Sequence, residues 1–171
     1  LAVKNDRVFL AIVTILGLAA VLPAPYIYTV DFGQHLPPFL AAYITPAYYT
    51  VFPVFPWFGF MACGVLSAWI FTGYSDNGTE PAFMKRILPA GALLSLVCLP
   101  VMFYLKDYAG LFTDVRPNPL FFLARLGILY IILAVCYYYC RWRNGISGII
   151  LYPGRESLAV YFMHLQVLHR K

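Results

Sequence analysis

Five apolar stretches, each close to 20 residues long and parted by short polar gaps, leave this chain few ways to fold. They run from about Val8 to Val30, Phe55 to Tyr74, Ile87 to Leu105, Pro119 to Cys140 and Ile149 to His169. About 20 apolar residues in a helix cross the roughly 30 Å of hydrocarbon in a bilayer. Lipid offers no partners for backbone N–H and C=O groups, so a spanning segment has to satisfy its own hydrogen bonds, and a helix does that within one segment. The expected fold is all-α: a polytopic membrane helix bundle with about five transmembrane helices. Residues 1–171 read as a single membrane domain.

Composition agrees. Hydrophobic residues make up 62% of the 171 and charged residues 11%, against about 25% charged in an ordinary soluble domain. A soluble chain of this length could not hide that much apolar surface. The net charge of +5 is not a nucleic-acid footprint, because most of the Lys and Arg residues sit in the polar gaps and they form no basic stripe. No nucleic-acid partner is expected. Cys63, Cys98, Cys136 and Cys140 lie in or beside apolar stretches without metal-ligand spacing, so no metal site is expected.

The basic residues set an orientation. Lys4, Arg7, Lys85, Arg86, Arg141 and Arg143 fall on one side of alternating spans, and Lys106 and Arg116 on the other. Lys and Arg in short loops mark the cytoplasmic face, so the N-terminal end is expected in the cytoplasm and the protein in a bacterial inner membrane. Arg170 and Lys171 fall on the minority side. The gap after Asp31 is too apolar for a free loop and too rich in proline (Pro37, Pro38, Pro46) for a clean span. It reads as an interfacial or re-entrant helix, or as a packed loop.

Ionisable residues inside spans are functional candidates, because hydrocarbon penalises them. Arg125, in PNPLFFLARLGILY, is the clearest. It reads as half of an ion pair with Asp31 or Asp114, as a substrate-binding cation, or as a side chain reaching for the interface. In the last stretch Ser157, Tyr161 and His164 are spaced i, i+4, i+7 and share one helix face. His164 can move protons near neutral pH or bridge two helices by hydrogen bonds. Arg155 and Glu156 read as a pair at the membrane boundary or as groups meeting an anionic ligand. In FPVFPWFGFMACGVLSAWIF, from Phe52 to Phe71, Pro56 suits a first helical turn and Trp57 an interface. Gly59, Ala62, Cys63, Gly64 and Ser67 form a strip of small residues that lets helices approach closely. No phosphate-binding loop, GxSxG elbow, HExxH or GxGxxG is present.

Two stretches carry a resemblance. FPVFPWFGFMACGVLSAWIF resembles the FPWxGF…G span of heparan-alpha-glucosaminide N-acetyltransferase-like membrane proteins, within the wider transmembrane acyltransferase superfamily. GRESLAVYFMHLQVL resembles the G+xSLxxYxxH helix near the C-terminal end of the same family. Together they cover about 35 of 171 residues. The resemblance implies an acyltransferase that takes an acyl group, usually acetyl from acetyl-CoA, and passes it to a sugar or glycoconjugate acceptor across the membrane. It makes His164, Tyr161 and Ser157 the candidate catalytic residues, and Arg125, Trp57, Arg155 and Glu156 the candidate substrate-binding ones. Arg141, Arg143 and Arg155 are placed to attract CoA phosphates. The family's histidine for acetyl transfer lies in an N-terminal half with no counterpart here, and His35 does not inherit that role. The chain is therefore expected to be the C-terminal half of a longer protein. A transporter or exporter of a sugar or lipid-linked substrate, and a non-catalytic membrane subunit, are the competing expectations. A homo-oligomer is compatible with all three.

Overall fold

A computed structural model describes residues 6–45, 53–109 and 116–143. It is helical throughout, with no strand among the described residues. The helices are α1 (Asp6–Val21), α2 (Ala24–Ile27), α3 (Pro38–Ile44), α4 (Val54–Asp76), α5 (Glu80–Ala109) and α6 (Pro119–Trp142), with a 3-10 turn over Phe32–Gln34. The chain divides into two compact units at Ala134 and Val135. The contacts between helices below belong to the first unit. Of the second, the end of α6 is described, where Tyr138, Tyr139 and Trp142 are exposed.

Three helices among the described residues are long and apolar enough to cross a membrane: α4, α5 as far as Lys106, and α6. The fifth expected span lies outside the described residues. The first expected span, Val8 to Val30, is shorter than its hydropathy suggests. Asp6 opens α1 where an acid complements the helix dipole. Leu22 N–H still donates to Leu18 O at 2.9 Å, but Pro23 has no N–H to continue the ladder. The 16 residues of α1 rise about 24 Å, less than the hydrocarbon thickness. After the break, α2 is a single turn, and Tyr28 Oη donates to Phe55 O at 2.6 Å, tying it to the start of α4.

The gap after Asp31 also folds. Asp31 accepts from Gly33 N–H and Gln34 Nε2, both at 3.1 Å, and so caps the 3-10 turn. Pro37 and Pro38 then open α3, whose Phe39 and Tyr43 are exposed. Within this gap the described residues are helical over Pro38–Ile44.

Each connection has a local cause. Gly78, at φ +66°, ends α4 in a left-handed conformation that glycine adopts without a Cβ clash. Thr79 N–H returns to Tyr74 O at 2.8 Å, and Asn77 Nδ2 donates to Gly73 O at 2.6 Å. Three residues separate α4 from α5, so the two helices must turn back on each other. Phe83 accordingly packs on both Phe71 and Tyr74. At the start of α6, Asn118 Oδ1 accepts from Leu120 N–H at 2.8 Å, and Pro119 takes the first helical position.

Residue contacts give the directions. Gly17 meets Ala62 and Gly59 meets Val21, so α1 and α4 are antiparallel. Gly91 meets Gly127 while Ser95 Oγ donates to Ala124 O at 3.1 Å, so α5 and α6 are antiparallel. Phe60 stacks on Phe122 at 4.3 Å and Ser67 pairs with Tyr130 at 3.0 Å, so α4 and α6 run parallel. The helices therefore alternate up and down. Val21, Phe122 and Leu126 centre the core, with Phe60, Cys63, Leu123 and Tyr130 against it.

Large apolar side chains point outward along the long helices: Leu93 and Leu96 on α5, Ile128 and Ile132 on α6. Long apolar helices with apolar outer faces mark an integral, multi-pass membrane protein whose solvent is the bilayer.

Candidate functional site

The start of α4 and the start of α6 lie side by side at one end of the bundle. Phe55 is extended at φ −96°, ψ 125°, so regular helix begins at Pro56 and Trp57 sits in its first turn. Arg125 lies six residues after Pro119, about 9 Å along the helix axis. The parallel packing of α4 and α6 brings the two together.

The Arg125 guanidinium carbon lies 4.0 Å from the Phe121 ring centre and 5.7 Å from that of Trp57. Phe121 is one turn nearer the helix start, so the charged head leans back toward the end of the bundle. Trp57 in turn rests on Phe60, with ring centres 5.7 Å apart. Cations over aromatic faces are held by the ring quadrupole. Trp57, Phe60, Arg125, Ile128 and Leu129 line an open groove of about 470 Å³. Arg125 is exposed on its wall.

The expected ion pair with Asp31 does not form. Asp31 is occupied by Gly33 and Gln34, and among the described residues Arg125 meets aromatic faces and no carboxylate. Asp114 lies outside the described residues. Arg155, Glu156, Ser157, Tyr161 and His164 lie outside them as well. Of the candidate site residues, Arg125 and Trp57 are described, and they meet.

A pocket of about 650 Å³ lies at the opposite end of the bundle, lined in part by Asp6, Trp69, Tyr74, Asp76 and Asn77. Beside it Arg86 Nη1 donates to Tyr74 Oη at 2.7 Å. In the second unit Arg141 reaches Tyr137 Oη at 3.5 Å and Arg143 lies 5.4 Å from the Trp142 ring centre, both exposed. The four cysteines are free thiols, and among the described residues no cluster of His, Cys, Asp or Glu could hold a metal.

The small-residue strip of α4 packs as its composition suggests, with one exception. Gly59 and Ala62 are buried and Ser67 is paired with Tyr130, but Gly64 faces open space. Sequence reasoning missed the α5–α6 seam of Gly91, Ser95, Ala124 and Gly127. Its signal was present as small residues four apart on α5 and three apart on α6.

No family model matches this chain, and no curated protein or solved structure matches it.

Proposed function

We propose that this protein is a membrane-embedded acyltransferase that moves an acyl group, acetyl from acetyl-CoA, to a sugar or glycoconjugate acceptor. The observation that carries the reading is the pairing of Arg125 with Trp57 in an open groove at one end of the bundle. Trp57 belongs to one of the two stretches that resemble the transmembrane acyltransferases, and the groove offers an acceptor a cation and a flat aromatic surface.

In this reading the segment carrying Ser157, Tyr161 and His164 supplies the proton chemistry. His164 takes the proton from the acceptor hydroxyl or amine as that atom attacks the acyl carbonyl, and the CoA thiolate leaves. Arg141, Arg143 and Arg155 attract the CoA phosphates. The proposed setting is a bacterial inner membrane with the N-terminal end in the cytoplasm, supported by the six-to-two split of basic residues and by the up-down alternation of the helices. The donor then arrives from the cytoplasm, and Arg125 faces the other side.

The test is acetyl transfer by the full-length protein in lipid nanodiscs, with labelled acetyl-CoA and a panel of amino and hydroxyl sugars. Transfer is expected, and His164→Ala is expected to reduce it by about 10²-fold or more with membrane insertion unchanged. Unchanged turnover would remove His164 from the chemistry. A transporter is the second reading, favoured by Pro89 and Pro100 inside α5, each of which removes a backbone N–H donor from a continuous spanning helix. Substrate flux without acetyl-CoA consumption would select it.

A further inference from the structure

We infer that the Arg125 groove binds the anionic headgroup of a membrane lipid, with the phosphate on the guanidinium and an acyl or isoprenoid chain along the outer face of α6. The inference names the acceptor class for the proposed transferase. It rests on that reading for the transfer step, and not for the binding.

Three observations converge on it. The first is charge. Arg125 is a cation on a membrane-spanning helix, and among the described residues it forms no ion pair. Phe121 and Trp57 hold the guanidinium plane without neutralising it, so its N–H donors remain for an anion. Arginine suits a phosphate because its donors form a planar fork that matches two phosphate oxygens at once.

The second is depth. The 24 residues of α6 rise about 36 Å, roughly 6 Å more than the hydrocarbon thickness. If the excess is shared between the two ends, the Arg125 backbone sits about 6 Å inside the hydrocarbon boundary. Its side chain leans back over Phe121 toward that boundary. The charge therefore reaches the layer where lipid phosphates lie.

The third is the shape of the groove. Ile128 and Leu129, one turn deeper on α6 than Arg125, form its lower wall and are 44% and 49% exposed. Ile132 and Leu133 continue the same exposed face by another turn. A cation at the membrane boundary above an unbroken apolar track has the polarity of one lipid molecule, head outward and tail inward. A water-soluble sugar would leave that track uncovered. Neither half of the groove alone would select an amphiphile.

The experiment uses the full chain, purified in a non-ionic detergent and titrated with phosphatidylglycerol or phosphatidylcholine, with bound lipids counted by native mass spectrometry. One phosphatidylglycerol is expected to bind roughly tenfold more tightly than phosphatidylcholine, the scale of one charge-assisted contact. Arg125→Gln is expected to reduce phosphatidylglycerol to the phosphatidylcholine level, with helical circular dichroism unchanged. Should that variant fail to fold, Arg125→Lys carries the test. It keeps the charge and loses the planar fork, and about a threefold drop is expected. Equal affinity for the two lipids in the parent protein, or a preference that survives both substitutions, would overturn the inference. Displacement of the lipid by millimolar inorganic phosphate would overturn it too, by making a free anion the ligand. Arg125-dependent lipid binding without acetyl transfer by the full-length protein to any acceptor would refute the transferase and keep the lipid site. Transfer to a soluble sugar without lipid preference would do the reverse.

Discussion

Two sides of α6, a few residues apart, follow opposite rules. The side facing α5 carries Ala124 and Gly127, both buried, and leaves no room: a Cβ on Gly127 would come 2.5 Å from Gly91 O and 2.5 Å from Ser95 Oγ. The other side carries Arg125, Ile128 and Leu129, all exposed beside an open groove. In water the large apolar residues would be buried and the small ones would be incidental. In lipid, tails solvate leucine as well as another helix does, so association depends on close backbone approach and on hydrogen bonds such as Ser95 to Ala124. The seam therefore holds α5 against α6, and the open side stays uncovered by the described residues.

Substitutions in the seam give the sharpest test of that contrast. Gly127→Ala is expected to force α5 and α6 apart and cost about 1–3 kcal/mol, the ordinary range for overpacking. Reversible unfolding in mixed detergent micelles measures it. A smaller effect is expected from Ser95→Ala, about 0.6 kcal/mol, the mean for hydrogen bonds between membrane helices. The Ala124 carbonyl keeps its place in the α6 ladder when the serine is lost. The smallest effect belongs to Gly64→Ala on α4. Gly64 is as small as Gly127, but nothing lies within 4 Å of a Cβ there, so the change is expected to stay within about 0.5 kcal/mol. A cost at Gly64 equal to that at Gly127 would show that glycine content, rather than close approach, sets stability.

Much of the architecture was legible in the sequence. The second and fourth spans needed only length and hydropathy. The expected Phe55 to Tyr74 became Val54–Asp76, and Pro119 to Cys140 became Pro119–Trp142. The third, expected from Ile87 to Leu105, starts seven residues earlier at Glu80, because the turn at Gly78 is tight and the polar residues before Ile87 already lie in helix. The break in the first span was hidden by its hydropathy, which runs straight through Pro23, although the missing N–H of that residue was the better guide. Arg125 and Trp57 each stood out as unusual. Their meeting did not, because it depends on the parallel register of α4 against α6, fixed by contacts such as Phe60 with Phe122. The α5–α6 seam was hidden for a similar reason. A glycine in an apolar run does not reveal which neighbour it faces.

The measurement that bears most directly on the division between seam and groove is a paired one, on Arg125→Gln and Gly127→Ala in the full chain. Unfolding stability and phosphatidylglycerol affinity are read on the same preparations. Arg125→Gln should lose the lipid preference and keep its stability within about 0.5 kcal/mol. Gly127→Ala should lose stability and, in the fraction that remains folded, keep the preference. If Arg125→Gln instead unfolds the bundle, or Gly127→Ala abolishes the lipid preference in folded protein, then the two sides of α6 are not separable and the groove is part of the packing.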